Sequence, residues 1–315
     1  MPEEKPAVSV ITPFYNAEDT IEKLLLCYSK QDIQESWEIV FVDNRSNDKT
    51  CQLIDNFQGT LPPHRIVKAE EMPGAGYARN LGVANCKADT IVFCDADDEI
   101  PDHHISKMAE GVEEHGWIGC GIDDEKLNSS HIVKALNFGV MDLLFAGYLP
   151  FTGTGIMGIR KDLFEKAGGF DTAFRVCEDT DFCYRLQLLG HSLTYQADTA
   201  IFVRLRPTLK EICKQRFQWG RYERTLAKRY TPYGHTPPES RAKNLVPMVK
   251  ALLFFVLRCY DQEKRIRYGR LLFHHWGLMM PLQKEAHIPV KINETEIDQG
   301  LLDALKSGIY EKSQG

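Results

Sequence analysis

Short apolar runs alternate with helical periodicities through the first hundred residues. Residues 7–12 (AVSVIT) read as a strand that Pro13 ends. In residues 17–30 the apolar positions Ile21, Leu24, Leu25 and Tyr28 fall on one helical face. Residues 38–43 (EIVFVD) are apolar on both faces, as in a strand of a covered parallel sheet. A helix over 48–57 turns Leu53, Ile54 and Phe57 to the sheet, residues 65–68 form a short strand, and residues 74–82 open a third helix. Residues 90–94 are the fourth strand. This β-α-β-α-β-α-β order argues for a parallel sheet with right-handed crossovers and helices on its faces. Such sheets bind ligands outside the carboxyl ends of their strands, where Asp43 and Asp95 both stand.

The remainder is less regular. A helix over 101–114 turns Ile105, Met108, Ala109 and Val112 inward. Residues 117–155 mix Gly, Asp, Asn and Ser with short apolar runs and are expected to be acceptor-side loops. A strand at 156–159, a helix at 161–167 stopped by Gly168 and Gly169, a helix at 178–189 and a strand at 193–203 follow. Residues 208–230 make a long basic helix, and the Pro- and Gly-rich stretch after it marks a linker. The chain thus divides into an α/β domain over 1–230 (donor-binding half about 1–100, acceptor-side half about 101–230), a linker at 231–240 and a basic helical appendage at 241–315.

Composition adds two constraints. Apolar residues make up 43% of the 315, ordinary for a soluble globular protein, and no apolar run reaches the roughly 18 residues of a membrane span. The start of the chain is not a signal peptide, and the nine cysteines are scattered without zinc spacing, so reduced thiols in a cytoplasmic protein are expected. Charge is lopsided: residues 204–270 hold 17 Lys/Arg against five Asp/Glu, a net of +12 in a chain whose total is −6. An anionic membrane surface, nucleic acid or a phosphorylated acceptor are candidate partners for that section, and solvated helix faces are the commoner alternative. Residues 245–257, apolar and flanked by Arg241, Lys243, Arg258, Lys264 and Arg265, suit either a membrane interface or a helix buried against the catalytic domain; burial is the expectation adopted.

The candidate chemistry starts at Asp95-Ala-Asp97. Two carboxylates two residues apart on extended chain point the same way, repel, and suit a hard divalent cation. A solvated acidic loop is the alternative on these residues alone.

Six motifs then occur in order: residues 8–16 (VSVITPFYN), 42–48 (VDNRSND), Gly74-x-Gly-x-x-Arg79-Asn80-x-Gly82, Asp95-x-Asp97, Gly168-Gly-Phe-Asp171 and Glu178-Asp179. Together they resemble glycosyltransferase family 2, the inverting transferases of GT-A fold, over residues 7–230. The resemblance implies a Rossmann-like, mostly parallel sheet and a nucleotide-sugar donor, with UDP favoured and no nucleic acid as partner. Thr12, Pro13 and Tyr15 would line the base pocket, Asp43 would accept from the base, and Arg79 would serve a phosphate or base edge. Asp97 would ligate Mn2+ or Mg2+ directly and Asp95 would contact ribose or metal-bound water, while Asp98 would face solvent. Asp179 would be the base, with Glu178 second and Asp181 purely structural. Many relatives add a histidine to the metal shell, but residues 201–206 hold none. Gln215 and Trp219 partly match a Gln-x-x-Arg-Trp acceptor motif of polymerising members, with Gln218 in place of Arg; single-sugar transfer to a glycan or lipid-linked saccharide follows as the expectation.

Two rival readings remain open on the sequence. A sugar-1-phosphate nucleotidyltransferase would carry a basic Gly-rich loop after the first strand, where this chain has Pro-Phe-Tyr-Asn. An inactive nucleotide-sugar or glycan-binding scaffold would explain the missing histidine and Gln218, but not the intact Asp95, Asp97 and Asp179.

Overall fold

The computed structural model describes residues 5–136, 144–145, 148–237, 240–282 and 292–307. Through the donor half the elements alternate as the apolar pattern demands: β1 (Val8–Phe14), α1 (Ile21–Tyr28), β2 (Trp37–Asp43), α2 (Thr50–Asn56), β3 (His64–Lys68), α3 (Ala75–Ala84), β4 (Thr90–Phe93) and α4 (His104–His115). Then come β5 (Trp117–Asp123), α5 (Ser130–Leu136), a two-stranded pair β6 (Leu144–Phe145) and β7 (Pro150–Phe151), β8 (Met157–Arg160), α6 (Lys161–Lys166), α7 (Glu178–Leu188) and β9 (Thr194–Phe202). The chain continues through α8 (Leu209–Tyr230), α9 (Leu245–Leu257), α10 (Gln262–Met279) and α11 (Gln299–Ser307).

Seven strands form one sheet in the order β3-β2-β1-β4-β8-β5-β9. The pairs β3–β2, β2–β1, β1–β4 and β5–β9 are parallel, and β8 alone runs antiparallel, to both β4 and β5. Fully buried residues of β1, β2 and β4 pack against α1 and α4 on one face, among them Val10, Phe41 and Val92, and against α3 and α7 on the other, among them Ile11, Val42 and Phe93. Burial on both faces is why these strands read as continuous apolar runs.

Two expectations are corrected here. Pro13 does not end β1, which runs on to Phe14. Ile11 presents its carbonyl to Cys94 of the β4 side, so Pro13, two residues on, turns its missing N–H to that same side, where the β1–β4 ladder has already stopped at Phe93. Residues 117–123, read as loop, are instead a central strand. Their glycines hid it: a Cβ on Gly119 would meet the Thr152 side chain, so close packing had removed the apolar side chain that signals a strand. Of the stretch expected to be acceptor-side loop, residues 137–143 and 146–147 lie outside the described residues.

The section beyond the linker is fastened to the α/β body. Helices α8 and α10 cross at Gly220 and Gly277: a Cβ on Gly220 would collide with the His274 carbonyl, and one on Gly277 with the Phe217 carbonyl. The C-terminal end of α8 is tied down by charge. Arg229 pairs with Asp171 at 2.5 Å and with Asp181 at 3.1 Å, and Asp181 also pairs with Arg185 at 2.9 Å. Asp171, Asp181 and Arg185 are buried and Arg229 is half-buried, and each carboxylate is met by guanidinium or hydroxyl donors, the condition under which such pairs persist in an interior. Asp181 is thus held between Arg185 and Arg229 in the first turn of α7.

Helix α9 departs from the expectation of burial. Ala251 is its single buried residue, and Val246, Val249, Leu253, Val256 and Leu257 are 51% to 59% exposed. No helix among the described residues is long and apolar enough to cross a membrane.

Overpacking predicts that Gly220→Ala or Gly277→Ala lowers stability by about 1–3 kcal/mol in urea unfolding, despite alanine's better helix propensity. Unchanged or raised stability would show that the two backbones are not held in contact.

Candidate active site

The carboxyl edge of the sheet opens into a cleft of about 1380 Å³. Pro13, Tyr15 and Asn16 line it from the loop after β1, and Asp95, Asp97 and Asp98 from the turn after β4. Arg79 enters from α3, Glu178 and Asp179 from the start of α7, Arg204 and Arg206 from beyond β9, and Arg216, Trp219 and Glu223 from α8.

Local folding accounts for these positions. The β1 loop is stapled to the β2 loop: Ser46 Oγ accepts from Asn16 N at 3.0 Å, and Asn16 Oδ1 accepts from Asn47 N at 2.9 Å. That leaves the Tyr15 ring 64% exposed over the cleft. The motif around Arg79 is stapled to the Gly-Gly-Phe-Asp motif, because Asn80 both donates to the Phe170 carbonyl and accepts from the Phe170 N–H at 2.8 Å. Cys177, just ahead of α7, adopts a left-handed φ of 65°, a costly conformation for a side chain that turns Glu178 and Asp179 into the cleft. A Cβ on Gly155 would lie 2.7 Å from Asp95 Oδ2, so that turn has to be glycine for the carboxylate to fit.

The acids and Arg79 form one unit. Arg79, 6% exposed, donates Nη2 to Asp95 Oδ1 at 2.6 Å and Nη1 to Glu178 Oε1 at 3.1 Å. A single guanidinium therefore spans the Asp-x-Asp turn and the acidic pair, 16 and 99 residues away in sequence. Burial, and then the neighbouring Asp179, push Glu178 up to about 7 even though Arg79 opposes them. Burial likewise raises Asp179, whose Oδ1 is held by the Thr180 N–H at 2.7 Å. The two acids together keep a proton to near neutrality.

Several residues expected at the site are placed elsewhere or bonded otherwise. Asp43 and Thr12 do not line the cleft. Asp43, 2% exposed, accepts from Ser46 N at 2.8 Å and from Lys68 Nζ at 2.6 Å, bonds that outweigh burial and hold its carboxyl below the usual range. It is a turn aspartate, and the neighbouring Asn44 faces the cleft instead. Thr12 is fully buried against the Tyr28 hydroxyl at 2.6 Å. Asp98, expected in solvent, is buried and accepts from Arg204 N at 2.8 Å. Arg79 lines the cleft with its guanidinium bonded to Asp95 and Glu178. Gln215 lies outside the lining while Trp219 is in it, with the Arg216 guanidinium 4.3 Å over its ring. His103, His104, His274 and His275 do not line the cleft.

The strand end that lacks a histidine supplies cations instead. Arg204 Nε donates to the Asp97 carbonyl at 3.1 Å, and Arg206 lies 3.5 Å from the Asp97 carboxylate. Sequence reading missed both, along with Glu223 and Arg216; the signal available was the spacing of Arg204 and Arg206 just past a strand end. Among the described residues, no three His, Cys, Asp or Glu side chains form a metal-binding group. Asp95 and Asp97 nevertheless suit a small hard cation, which commonly takes one or two protein carboxylates and completes its shell with phosphate oxygens and water. The fit is also electrical, since burial and the charge of Asp95 raise the Asp97 pKa, leaving a site that favours added positive charge.

A mostly parallel sheet with this acid-lined cleft at its carboxyl edge defines the GT-A class of nucleotide-sugar transferase folds. The sequence profile of glycosyl transferase family 2 matches residues 9–168, and that of glycosyl transferase family group 2 matches residues 90–283. The chain belongs to glycosyltransferase family 2. It is similar to glycosyltransferase AglE of Haloferax volcanii (25% identity over 221 residues, 69% of this chain and 72% of AglE). It is also similar to an uncharacterized glycosyltransferase of Haemophilus influenzae (26% over 187 residues, 57% of this chain and 61% of that protein). Poly(ribitol-phosphate) beta-N-acetylglucosaminyltransferase TarS of Staphylococcus aureus is 32% identical over 108 residues, 34% of this chain and 19% of TarS. The chain spans between 19% and 61% of the length of the first four curated relatives it matches. Among solved structures, the mannosyltransferase PcManGT of Pyrobaculum calidifontis with GDP-Man and Mn2+ superposes at a TM-score of 0.59 (16% identity, 87% of this chain and 88% of that one). TarS residues 1–349 with UDP-GlcNAc superposes at 0.52 (16% identity, 90% of this chain and 99% of that one). At these identities the structures share the fold.

Arg79→Met would leave Asp95 and Glu178 as buried or half-buried charges without their partner. It is expected to cost about 3–5 kcal/mol of stability, and adding Glu178→Gln should recover part of that loss in a double-mutant cycle. Additive losses would show that Arg79 and Glu178 are not coupled.

Proposed function

We propose that this chain transfers a single sugar, with inversion, from a nucleotide-diphosphate-sugar to a hydroxyl of a glycan or lipid-linked saccharide. The observation that carries the reading is the Arg79 bridge, which fixes Asp95 and Glu178, and with them the donor side and the acidic pair, around one cleft. UDP is the favoured donor nucleotide, on the family resemblance and on the UDP-GlcNAc complex of TarS. Tyr15 and Pro13 offer the base an exposed ring and an apolar edge.

Asp95 and Asp97 would hold Mn2+ or Mg2+. When bound, the ion would neutralise charge on the diphosphate as it leaves. Arg204 and Arg206 bring further positive charge to the same end of the cleft. Asp179 takes the proton of the acceptor hydroxyl while its oxygen attacks C1 and the bond from C1 to the diphosphate oxygen breaks. Asp179 is the better candidate because it is half-buried and faces the cleft, whereas Glu178 is buried and held by Arg79. Glu178 tunes it, since two adjacent carboxylates share a proton near neutrality. Trp219 gives the acceptor a ring face, and the basic section over 204–270 would bring the cleft to an anionic membrane surface.

Asp179→Asn should leave UDP binding within about three-fold and lower transfer about 10²–10⁴-fold. Retained turnover would move the base elsewhere. The base works deprotonated, and the pair holds its proton up to about 7. The kcat/KM profile should therefore rise with pH through an acid limb near neutrality, and Glu178→Gln should move that limb to lower pH. A profile flat from pH 5 to 8, or a limb that does not move, would contradict the shared proton.

A further inference from the structure

Helix α9 reads Leu-Val-Pro-Met-Val-Lys-Ala-Leu-Leu-Phe-Phe-Val-Leu, and its apolar side chains split into two opposed faces. Toward α10, Ala251 is buried, Phe255 packs beside Gly269 and Phe254 stacks on Tyr268 with ring centroids 5.1 Å apart. On the other side, Val246, Val249, Leu253, Val256 and Leu257 repeat at helical spacing and stand open. A contiguous exposed stripe of this kind marks a contact surface rather than ordinary solvent-facing helix.

Charge identifies the occupant. From Arg241 to Tyr260 the chain carries Arg241, Lys243, Lys250 and Arg258 and no acidic residue. All four cations are exposed. Arg258 Nη1 donates to the Tyr260 hydroxyl at 3.2 Å, which sets a guanidinium and a 76% exposed phenol at one end of the stripe, a pairing suited to lipid headgroups. A second copy docking through the same stripe would bring four cations onto four. The helix is too short to cross a bilayer. We propose that α9 lies along the headgroup boundary of an anionic bilayer, its five-residue apolar stripe in the acyl region and its cations at the phosphates. Asn244, the residue before α9, lines the cleft, so docking sets the cleft mouth at the lipid surface. That consequence, access to a lipid-linked acceptor, rests on the transferase reading; the docking itself does not.

Flotation of the full chain tests it with phosphatidylcholine vesicles lacking or containing about 30% phosphatidylglycerol. At low salt the protein should float with the anionic vesicles, and at least about ten-fold less with neutral vesicles or at high salt. The double variant Val249→Asp/Leu253→Asp should lose about ten-fold or more of that partition with an unchanged Tm, because both side chains already face outward. Lys250→Glu/Arg258→Glu, which leaves the stripe intact, should lose the low-salt binding. A wild-type protein that stays down at low salt, or an Asp variant that floats as well as wild type, overturns the proposal. So does a dimer that the Asp substitutions convert to monomer without any vesicle binding, which would make the stripe a self-interface. None of these readouts requires sugar transfer, so a failed transferase reading is seen separately.

Discussion

The Arg79 guanidinium is the constraint on which the rest of the site depends. One cation, almost wholly removed from solvent, is shared by an aspartate of the β4 turn and a glutamate that starts α7. Without it, the cleft would collect Asp95, Asp97, Asp98, Glu178 and Asp179 with little to offset their repulsion at its centre. With it, the acids fall into two groups of different character. Asp95 and Asp97 form a negative rim, partly open, that suits a hard cation. Glu178, buried, and Asp179, half-buried beside it, keep a proton to near neutrality.

The scaffold holds that bridge in place from both ends. Asn80, next to Arg79, is doubly hydrogen-bonded to Phe170, and Asp171 is clamped by Arg229 of the basic helix α8. The basic helix α8 is thus tied to the acidic body by ion pairs to buried carboxylates, and the section beyond the linker is joined to α8 by the Gly220–Gly277 crossing. The close crossing of α8 and α10 then carries Asn244 and Leu278 to the cleft wall. Lopsided charge along the chain becomes a cleft with acids at its centre and arginines at its edges.

Much of this was legible in the chain and some was not, for reasons that differ by residue. The alternation of β1 to β4 with their helices was clear because both faces of the sheet are covered, and the acids after β4 and before α7 followed from topology and motif order. Strand β5 was obscured because glycine had replaced the side chains whose periodicity marks a strand. Asp43 and Asn44 could not be told apart in sequence, since only the turn geometry decides which of two neighbours faces the cleft. The role of Arg79 was hidden because its second partner lies 99 residues away. Arg204 and Arg206 were not legible as site residues because their partner Asp97 lies more than a hundred residues earlier in the chain. Helix α9 was ambiguous because an apolar run looks the same whether the fold covers it or leaves it bare.

Calorimetric titration of UDP into wild-type protein and Asp97→Ala, each with and without Mn2+, tests the central claim most directly. If Asp95 and Asp97 form the open acidic rim that the Arg79 bridge holds in place, Mn2+ should tighten UDP binding to wild type at least about ten-fold and leave Asp97→Ala nearly unchanged. Binding of UDP that is indifferent to Mn2+ in wild type, or equally metal-dependent in Asp97→Ala, would contradict it.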